Sequence, residues 1–149
     1  MHKILKDKGI IYLSTPNKIS IINIMSDPHF GLPLVSILKR KTIKKYFLKY
    51  FRQQDYNRDD IAQLLSLDEL QYIISSKFEF KLLTIEIIQK LFDGQNGIIW
   101  SSFHKTLVKL LENLGLNKFI IKISNNKNGF INKYVSPTFY LILQKKQQF

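Results

Sequence analysis

The chain has 149 residues, a length that predicts one domain able to bury a hydrophobic core. Hydrophobic residues make up 45% of it, which argues against intrinsic disorder, and the absence of cysteine excludes a disulfide scaffold and cysteine-based metal sites. A net charge of +12 suits an anionic partner, but a general bias towards Lys, Ile and Asn explains the charge more simply, so we do not expect a nucleic-acid partner.

The N-terminal region gives no sign of a targeting or membrane-spanning segment. The apolar run after the first basic residues is interrupted by Ser14, Pro16, Asn17 and Lys18. No stretch reaches the roughly 18 uninterrupted apolar residues that a membrane span needs. The sequence therefore predicts a chain without a membrane span and with a cytoplasmic location.

The first complete element is a short strand over residues 10–14. It follows an Asp-Lys-Gly turn and stops before Pro16, which has no amide hydrogen for a sheet ladder. The strand is apolar with little alternation, which is typical of burial on both faces in a parallel sheet, so we expect Tyr12 in the core. Side chains just past the end of such a strand face the ligand crevice. Thr15 and Asn17 are therefore candidate substrate-binding residues, although Asn17 can instead bond its own backbone in an Asx turn.

A loop that contains prolines and a glycine follows over residues 18–33. His29 is the candidate catalytic residue, as a base towards a substrate, because the histidine side chain is a common proton acceptor in catalysis; bracing of the loop is the alternative. Asp27 is either a substrate-binding residue or the initiator of a turn before Pro28. Phe30 either stacks on a substrate or belongs to the core.

Residues 34–52 have a helical pattern and are the most basic part of the chain. Five apolar residues recur at the spacing of one helix face and predict a buried stripe: Ile43, Tyr46, Phe47, Tyr50 and Phe51. Lysines and arginines occupy much of the remaining surface. The pattern indicates a solvated basic face over an apolar underside, and a nucleic-acid-binding face is the alternative.

Two further helices are predicted after a polar turn. A short one is expected to hold Ile61, Leu64 and Leu65. The second opens with a capping box, in which Ser66 is the N-cap and Glu69 follows three residues later. The residues expected on its buried face are Leu70, Ile73 and Ile74.

The second half of the chain alternates apolar segments with breaks. Residues 78–84 predict a strand, or else the start of an apolar helix that continues through Leu91. Residues 93–97 are a break, after which Ser101 or Ser102 can cap a helix closed by Gly115. The remaining features are a short β-branched run at 119–123, a loop at 125–129 and a strong strand candidate at 138–143.

Four segments together resemble the C-terminal half of class I S-adenosylmethionine-dependent methyltransferases. Residues 5–17 are similar to the helix end, glycine turn and fifth strand of that fold, with Asp-Lys-Gly in place of Pro-Gly-Gly and with the Ser-Thr-Pro-Asn ending. Residues 27–33 resemble a loop that follows this strand, residues 66–78 the helix before the sixth strand, and residues 136–146 the closing strand. Residues 85–135 look like an insertion.

The resemblance implies an α/β fold class, as the C-terminal portion of a Rossmann-like methyltransferase fold that is incomplete at its N-terminus. Residues 10–14 should then lie beside residues 138–143 in one sheet. The chain is expected to form a single partial domain, 1–149, with these parts: helix end and strand (1–17), loop and basic helical insertion (18–65), helix and strand (66–84), helical insertion (85–135), final strand and tail (136–149).

The resemblance also implies S-adenosylmethionine as the cofactor of the complete fold. The family holds it in a Gly-rich loop after the first strand, with an acidic residue at the end of the second. The six glycines of this chain are scattered without a Gly-x-Gly pair, so we expect no cofactor to bind this chain alone. His2 and His104 have no neighbours at metal-ligand spacing, and we expect no metal site.

The function implied is methyl transfer to a small-molecule acceptor, with this chain as the acceptor-side half of a truncated methyltransferase. Its partner would be the missing N-terminal half or a second copy of the chain. The alternatives are a basic nucleic-acid-binding module and a non-catalytic partner of a complete methyltransferase.

Overall fold

The structure, a computed structural model, describes residues 5–6, 9–57, 63–92 and 102–146. The chain is mixed α/β, with a small antiparallel sheet and several helices. The strands are β1 (Ile10–Pro16), β2 (Phe78–Leu82) and β3 (Thr138–Lys145). The α-helices are α1 (Ile21–Met25), α2 (Arg40–Thr42), α3 (Lys49–Phe51), α4 (Gln53–Tyr56), α5 (Leu67–Ser75), α6 (Thr84–Phe92), α7 (Ser102–Asn113) and α8 (Asn117–Ile123). A 3-10 turn spans Val35–Ile37, and Ile43–Leu48 and Ile131–Val135 are π-helical.

The three strands form one sheet in the order β1–β3–β2, and β3 is antiparallel to both neighbours. In this register Pro16 lies opposite Thr138, and Leu82 lies opposite Leu141. Consequently β1 and β2 run in the same direction, and their carboxyl ends lie at the sheet edge where β3 begins. The prediction that residues 10–14 lie beside residues 138–143 is confirmed.

The burial of β1 differs from the expectation. Its side chains alternate between half-buried and exposed positions, instead of being buried on both faces. Ile11 and Leu13 pack against the core, whereas Tyr12 points to the opposite face and is 69% exposed. The prediction that Tyr12 is a core residue was wrong, because within the described chain β1 pairs with antiparallel β3 alone and has one covered face.

The main core lies on one face of the sheet. Phe139, Leu141 and Leu143 project from alternate positions of β3 and form a cluster with residues of β2 and α5. From α5 the cluster receives Leu67, Leu70 and Ile74. Ile73, predicted to share this face, is exposed instead, because its position in the helix turns it towards solvent.

The predicted capping box at the start of α5 is confirmed. Ser66 Oγ accepts a hydrogen bond from the Glu69 N–H at 3.3 Å, and Glu69 Oε2 accepts one from the Ser66 N–H at 2.8 Å. Glu69 Oε1 also forms an ion pair with Lys18 Nζ at 2.9 Å. The helix start is thereby tied to the segment that follows β1.

The predicted basic helix is present over residues 40–51, but its middle is π-helical rather than α-helical. A π turn contains more residues than an α turn, so it rotates the side chains that follow it relative to a 3.6-residue pattern. Leu48, outside the predicted stripe, is fully buried with Phe30, Val35 and Ile43. Of the predicted stripe, Ile43 is buried and Phe47 half-buried, while the residues that proved exposed are Tyr46, Tyr50 and Phe51.

Other parts of the chain also refine the expectations. Leu64 and Leu65 are not helical, since Leu65 forms an isolated parallel bridge with Asn17. Phe78–Leu82 form β2, which confirms the strand predicted there, and a separate helix, α6, begins at Thr84. The β-branched run at 119–123 lies in α8. Gly115 follows α7 with a left-handed φ of 67°, as a helix-closing glycine should. The predictions for Ile61, residues 93–97 and Ser101 concern positions outside the described residues.

Candidate functional site

Asn17, at the carboxyl end of β1, is completely buried and hydrogen-bonded through both side-chain polar atoms. Its Nδ2 donates to the carbonyl oxygens of Lys133 and Ser136, both at 2.9 Å, and its Oδ1 accepts from the Ile19 N–H at 3.1 Å. The hydrogen bond from the Ile19 N–H to Asn17 Oδ1 is the Asx turn that the sequence left open as an alternative. Asn17 therefore fixes the residues before β3 against the end of β1.

Further buried polar residues continue this arrangement, and sequence reasoning missed them. Asn23 Nδ2 donates to the carbonyl oxygens of Asn17 at 2.8 Å and Pro137 at 2.6 Å. Asn132 Nδ2 donates to the carbonyl oxygens of Asn125 and Lys127, both at 2.7 Å, and its Oδ1 accepts from Thr84 Oγ1. Asparagine is so commonly solvent-exposed that no local pattern distinguishes a buried one.

Thr15 is half-buried in β1, opposite Phe139 of β3. It lies on the core side of the sheet edge, two residues before Asn17. Its place at the strand end agrees with the expectation, and a role in substrate binding stays a prediction.

The 27–30 loop is organised by its aspartate. Asp27 Oδ1 accepts hydrogen bonds from the N–H groups of His29 at 2.8 Å and Phe30 at 2.9 Å, as a turn initiator does. Phe30 is buried in the second hydrophobic cluster, beside Val35. His29 is partly exposed, and its Nδ1 is 4.0 Å from Asp27 Oδ1, beyond hydrogen-bond distance.

A small cavity of about 10 Å³ adjoins His29, with Asp27, Ser36 and Gln63 also in its lining. That volume admits roughly one water molecule. A methyl acceptor does not fit there, so the proposed action of His29 as a base would have to take place on its solvent-exposed side. The catalytic assignment of His29 stays a prediction.

A much larger cavity, of about 170 Å³, lies at the sheet edge where β1 and β2 end and β3 begins. Thr138 and Tyr140 of β3 form one wall, and the residues just before β3, Ser136 and Pro137, form part of the rim. Three helices supply most of the remaining wall. The lining residues from these helices are Ile87, Ile88 and Leu91 of α6, Leu107, Val108 and Leu111 of α7, and Ile120 and Ile123 of α8.

The cavity wall is almost entirely apolar, and two of the hydroxyl groups in its lining form hydrogen bonds with other residues. Ser136 Oγ donates to the carbonyl oxygen of Thr138 at 3.0 Å, and Thr84 Oγ1 donates to Asn132 Oδ1. A cavity of this kind selects for size and apolar surface rather than for hydrogen bonds. The apolar periodicity of α6 and α7 was visible in the sequence, but the cavity arises only where the two helices meet the sheet edge.

The five predicted site residues do not line this cavity. Asp27, His29 and Phe30 form one local turn, while Thr15 and Asn17 lie at the end of β1. Asn17 nevertheless acts on the cavity indirectly, because it holds Ser136 in the rim.

The first turn of α6 is capped by the side chain of Asn126, a residue of the insertion. Asn126 Oδ1 accepts a hydrogen bond from the Ile85 N–H at 2.9 Å, and Asn126 Nδ2 donates to Glu86 Oε2 at 2.9 Å. Burial acts to raise the pKa of the Glu86 carboxyl, but hydrogen bonds from its own N–H and from Asn126, together with nearby Lys81, hold the pKa below its usual range. Glu86 thus stays ionised and pairs locally.

That S-adenosylmethionine does not bind this chain alone stays a prediction. The start of α6 directly follows a strand, but Asn126 already occupies its first free N–H group, and no acidic side chain lines the large cavity to bind ribose hydroxyls. Among the same residues, no group of three or more His, Asp or Glu side chains is placed to hold a metal ion.

None of the helices in the described ranges has the length and apolar composition required to cross a bilayer. Comparisons of the chain with protein-family models, with curated proteins and with solved structures gave no match.

Proposed function

We propose that this chain is the acceptor-binding part of an S-adenosylmethionine-dependent methyltransferase, and that the large cavity receives a small apolar methyl acceptor. The observation that carries the proposal is the position of the cavity. It lies at the shared edge where the carboxyl ends of β1 and β2 meet the start of β3. In open α/β sheets, ligands bind at the carboxyl ends of the strands.

The strand arrangement supports the same proposal. The resemblance required residues 10–14 beside residues 138–143 in one sheet, two segments that are far apart in the chain, and they pair over the full length of β1. The helical insertion between β2 and β3 supplies α6, α7 and α8, and all three contribute to the cavity wall. Acceptor selection would therefore reside in the insertion.

The size and polarity of the cavity define the class of acceptor. An apolar cavity of roughly 150 Å³ is known to accommodate a benzene molecule, so about 170 Å³ suits a single aromatic ring or a short hydrocarbon. Methyl transfer requires that the acceptor be positioned against an already activated donor, and positioning is what a close-fitting apolar wall supplies. The proposal assigns the binding of the methyl donor to other parts of the enzyme.

Ligand binding tests the cavity directly. The purified chain should bind indole or phenol, as measured by saturation-transfer NMR, and Val108→Trp should abolish the signal because the new ring fills the cavity. Lys109→Trp is the matched control, since it adds the same ring at the neighbouring exposed position of α7. If neither compound binds the wild type, or if both variants bind equally well, the cavity is not the acceptor site.

An assay of methyl transfer tests the enzymatic part of the proposal. The chain isolated from its natural source, with any partner it retains, should move tritium from methyl-labelled S-adenosylmethionine to a small aromatic acceptor, and Val108→Trp should remove the labelled product. Calorimetry with S-adenosylmethionine should detect no binding to the purified chain alone. Micromolar binding would contradict the acceptor-only assignment, and ring binding without any labelled product would identify a ligand-binding protein instead.

A further inference from the structure

The most basic segment of the chain contains no acidic residue of its own. From Pro28 to Gln54 the sequence contains no Asp or Glu, whereas it contains seven Lys and Arg residues between Lys39 and Arg52. Arg52 forms an ion pair with Asp55, with Nε and Oδ2 3.2 Å apart. Lysines on successive turns of the helix are exposed, namely Lys41, Lys45 and Lys49.

Aromatic rings lie among these lysines. Tyr46, Tyr50 and Phe51 are 53%, 68% and 66% exposed. Lys45 Nζ lies 4.9 Å from the centre of the Tyr46 ring, and Lys49 Nζ lies 5.6 Å from the centre of the Tyr50 ring. Positive charges and flat apolar surfaces therefore alternate along the exposed side of this helix, which we call the Lys–Tyr face: Lys41, Lys45, Tyr46, Lys49, Tyr50 and Phe51.

The π turn explains why these rings are outside. Ile43 and Leu48 occupy the buried side of the helix, where they pack with Phe30 and Val35. Had the helix kept a regular 3.6-residue period, the tyrosines would have shared the buried stripe with Ile43. The protein instead exposes three large rings within six residues, a costly arrangement in water unless a partner covers them.

We propose that the Lys–Tyr face binds single-stranded nucleic acid. Proteins that bind single strands combine cationic groups along the phosphate backbone with exposed aromatic rings on which bases stack. The Lys–Tyr face presents both, at a spacing of one helical turn. A duplex keeps its bases stacked inside, so it would engage the lysines but not the rings.

A membrane surface is the main competing partner for a basic amphipathic helix. An in-plane helix inserts a continuous apolar face into the lipid and keeps its lysines on the other side. Here the aliphatic residues Ile43 and Leu48 are buried within the protein, and the exposed rings are interleaved with the lysines. The observations therefore favour a nucleic acid over a lipid surface.

Fluorescence anisotropy with fluorescein-labelled 20-nucleotide oligo(U) and oligo(dT) tests the proposal. Both single strands should bind at low salt, and a blunt duplex of the same length should bind more weakly. If the three exposed lysines contact phosphates, the slope of log K against log salt concentration is about −2, from a slope of about −0.7 per contact. Absence of binding to both single strands, or equal binding to the duplex, would overturn the proposal.

Substitution of the rings separates stacking from charge. Tyr46→Leu with Tyr50→Leu should weaken single-strand binding by about tenfold or more, because each stacked base contributes roughly a 5-fold to 160-fold gain. Tyr72→Leu is the control, since Tyr72 is 85% exposed on α5, away from the Lys–Tyr face in sequence. Unchanged binding by the double variant would show that the rings have no part in recognition.

Substitution of the lysines tests location. Lys45→Gln with Lys49→Gln should reduce the magnitude of the salt slope by about 1.4, two phosphate contacts at about 0.7 each. Lys105→Gln with Lys109→Gln removes the same charge at the same spacing from exposed positions of α7, and it should leave the slope unchanged. An equal effect of both pairs would show unspecific attraction to the net charge.

Vesicles distinguish the lipid alternative. Vesicles with 30% phosphatidylserine should bind less tightly than oligo(U) at equal salt, and stronger vesicle binding that survives the tyrosine-to-leucine changes would assign the face to a membrane instead. All the altered side chains are exposed, so thermal unfolding monitored by circular dichroism should match the wild type. Val108→Trp should leave oligonucleotide binding unchanged, so this proposal and the proposed function fail independently.

Discussion

Replacement of Asn17 by alanine distinguishes a positioning role at the sheet edge from direct substrate binding. The side chain is fully buried, and its removal leaves the carbonyl oxygens of Lys133 and Ser136 and the N–H of Ile19 without their partners. Each buried polar group left unpaired costs about 1–3 kcal/mol. Because the freed groups can partly rearrange, we expect a total loss of about 3 kcal/mol in the free energy of unfolding.

A loss of that size is readily measured. For a chain of about 150 residues, 1 kcal/mol lowers the melting temperature by about 2–4 °C, so Asn17→Ala should melt about 6–12 °C below the wild type. Urea unfolding followed by circular dichroism gives the free energy itself. Asn113→Ala, at the exposed end of α7, is the matched control and should change the free energy by no more than about 0.5 kcal/mol.

The same variant should also weaken ligand binding, since Asn17 holds Ser136 in the rim of the large cavity. A positioning role thus predicts a loss of stability together with weaker binding of indole. A direct substrate contact predicts weaker binding with unchanged stability. A loss below about 1 kcal/mol in the urea measurement would refute the reasoning that the buried hydrogen bonds of Asn17 hold this edge together.

Two further predictions concern acid sensitivity and self-association. The hydrogen bond from Lys18, with that from the Ser66 N–H, holds the pKa of Glu69 below its usual range. The ionised Glu69 carboxylate therefore contributes to the free energy of unfolding above about pH 4.3, and this contribution is lost as the pH falls through the lowered pKa. Glu69→Gln keeps a capping-box residue but should remove this part of the acid dependence of stability, worth about 0–1 kcal/mol because the group is half-exposed. Identical melting profiles of the wild type and Glu69→Gln from pH 6 to pH 3 would contradict this prediction. Within the described chain β1 has one unpaired edge, so concentrated protein should self-associate in size-exclusion chromatography, and Tyr12→Lys should shift it towards monomer. A wild-type monomer at high concentration would show that this edge is protected.

The local elements of this chain follow from short stretches of sequence. Ser66 and Glu69 are three residues apart, so the capping box requires only the geometry of one helical turn, and it forms as predicted. Residues 138–143 are β-branched and aromatic and form a strand for equally local reasons. The pairing of this strand with β1 was predicted through the family resemblance, since no local pattern specifies a partner so distant in the chain.

Tertiary packing decided the structural features on which the two proposals rest. Asn17 became a structural residue because its acceptors lie more than a hundred positions away, at Lys133 and Ser136. The exposure of Tyr46 and Tyr50 accompanies one π turn, across which Leu48 is buried in the second cluster. The large cavity lies where α6, α7 and the beginning of β3 converge. No local sequence pattern specifies the space left between three elements, because that space depends on how the elements pack against one another.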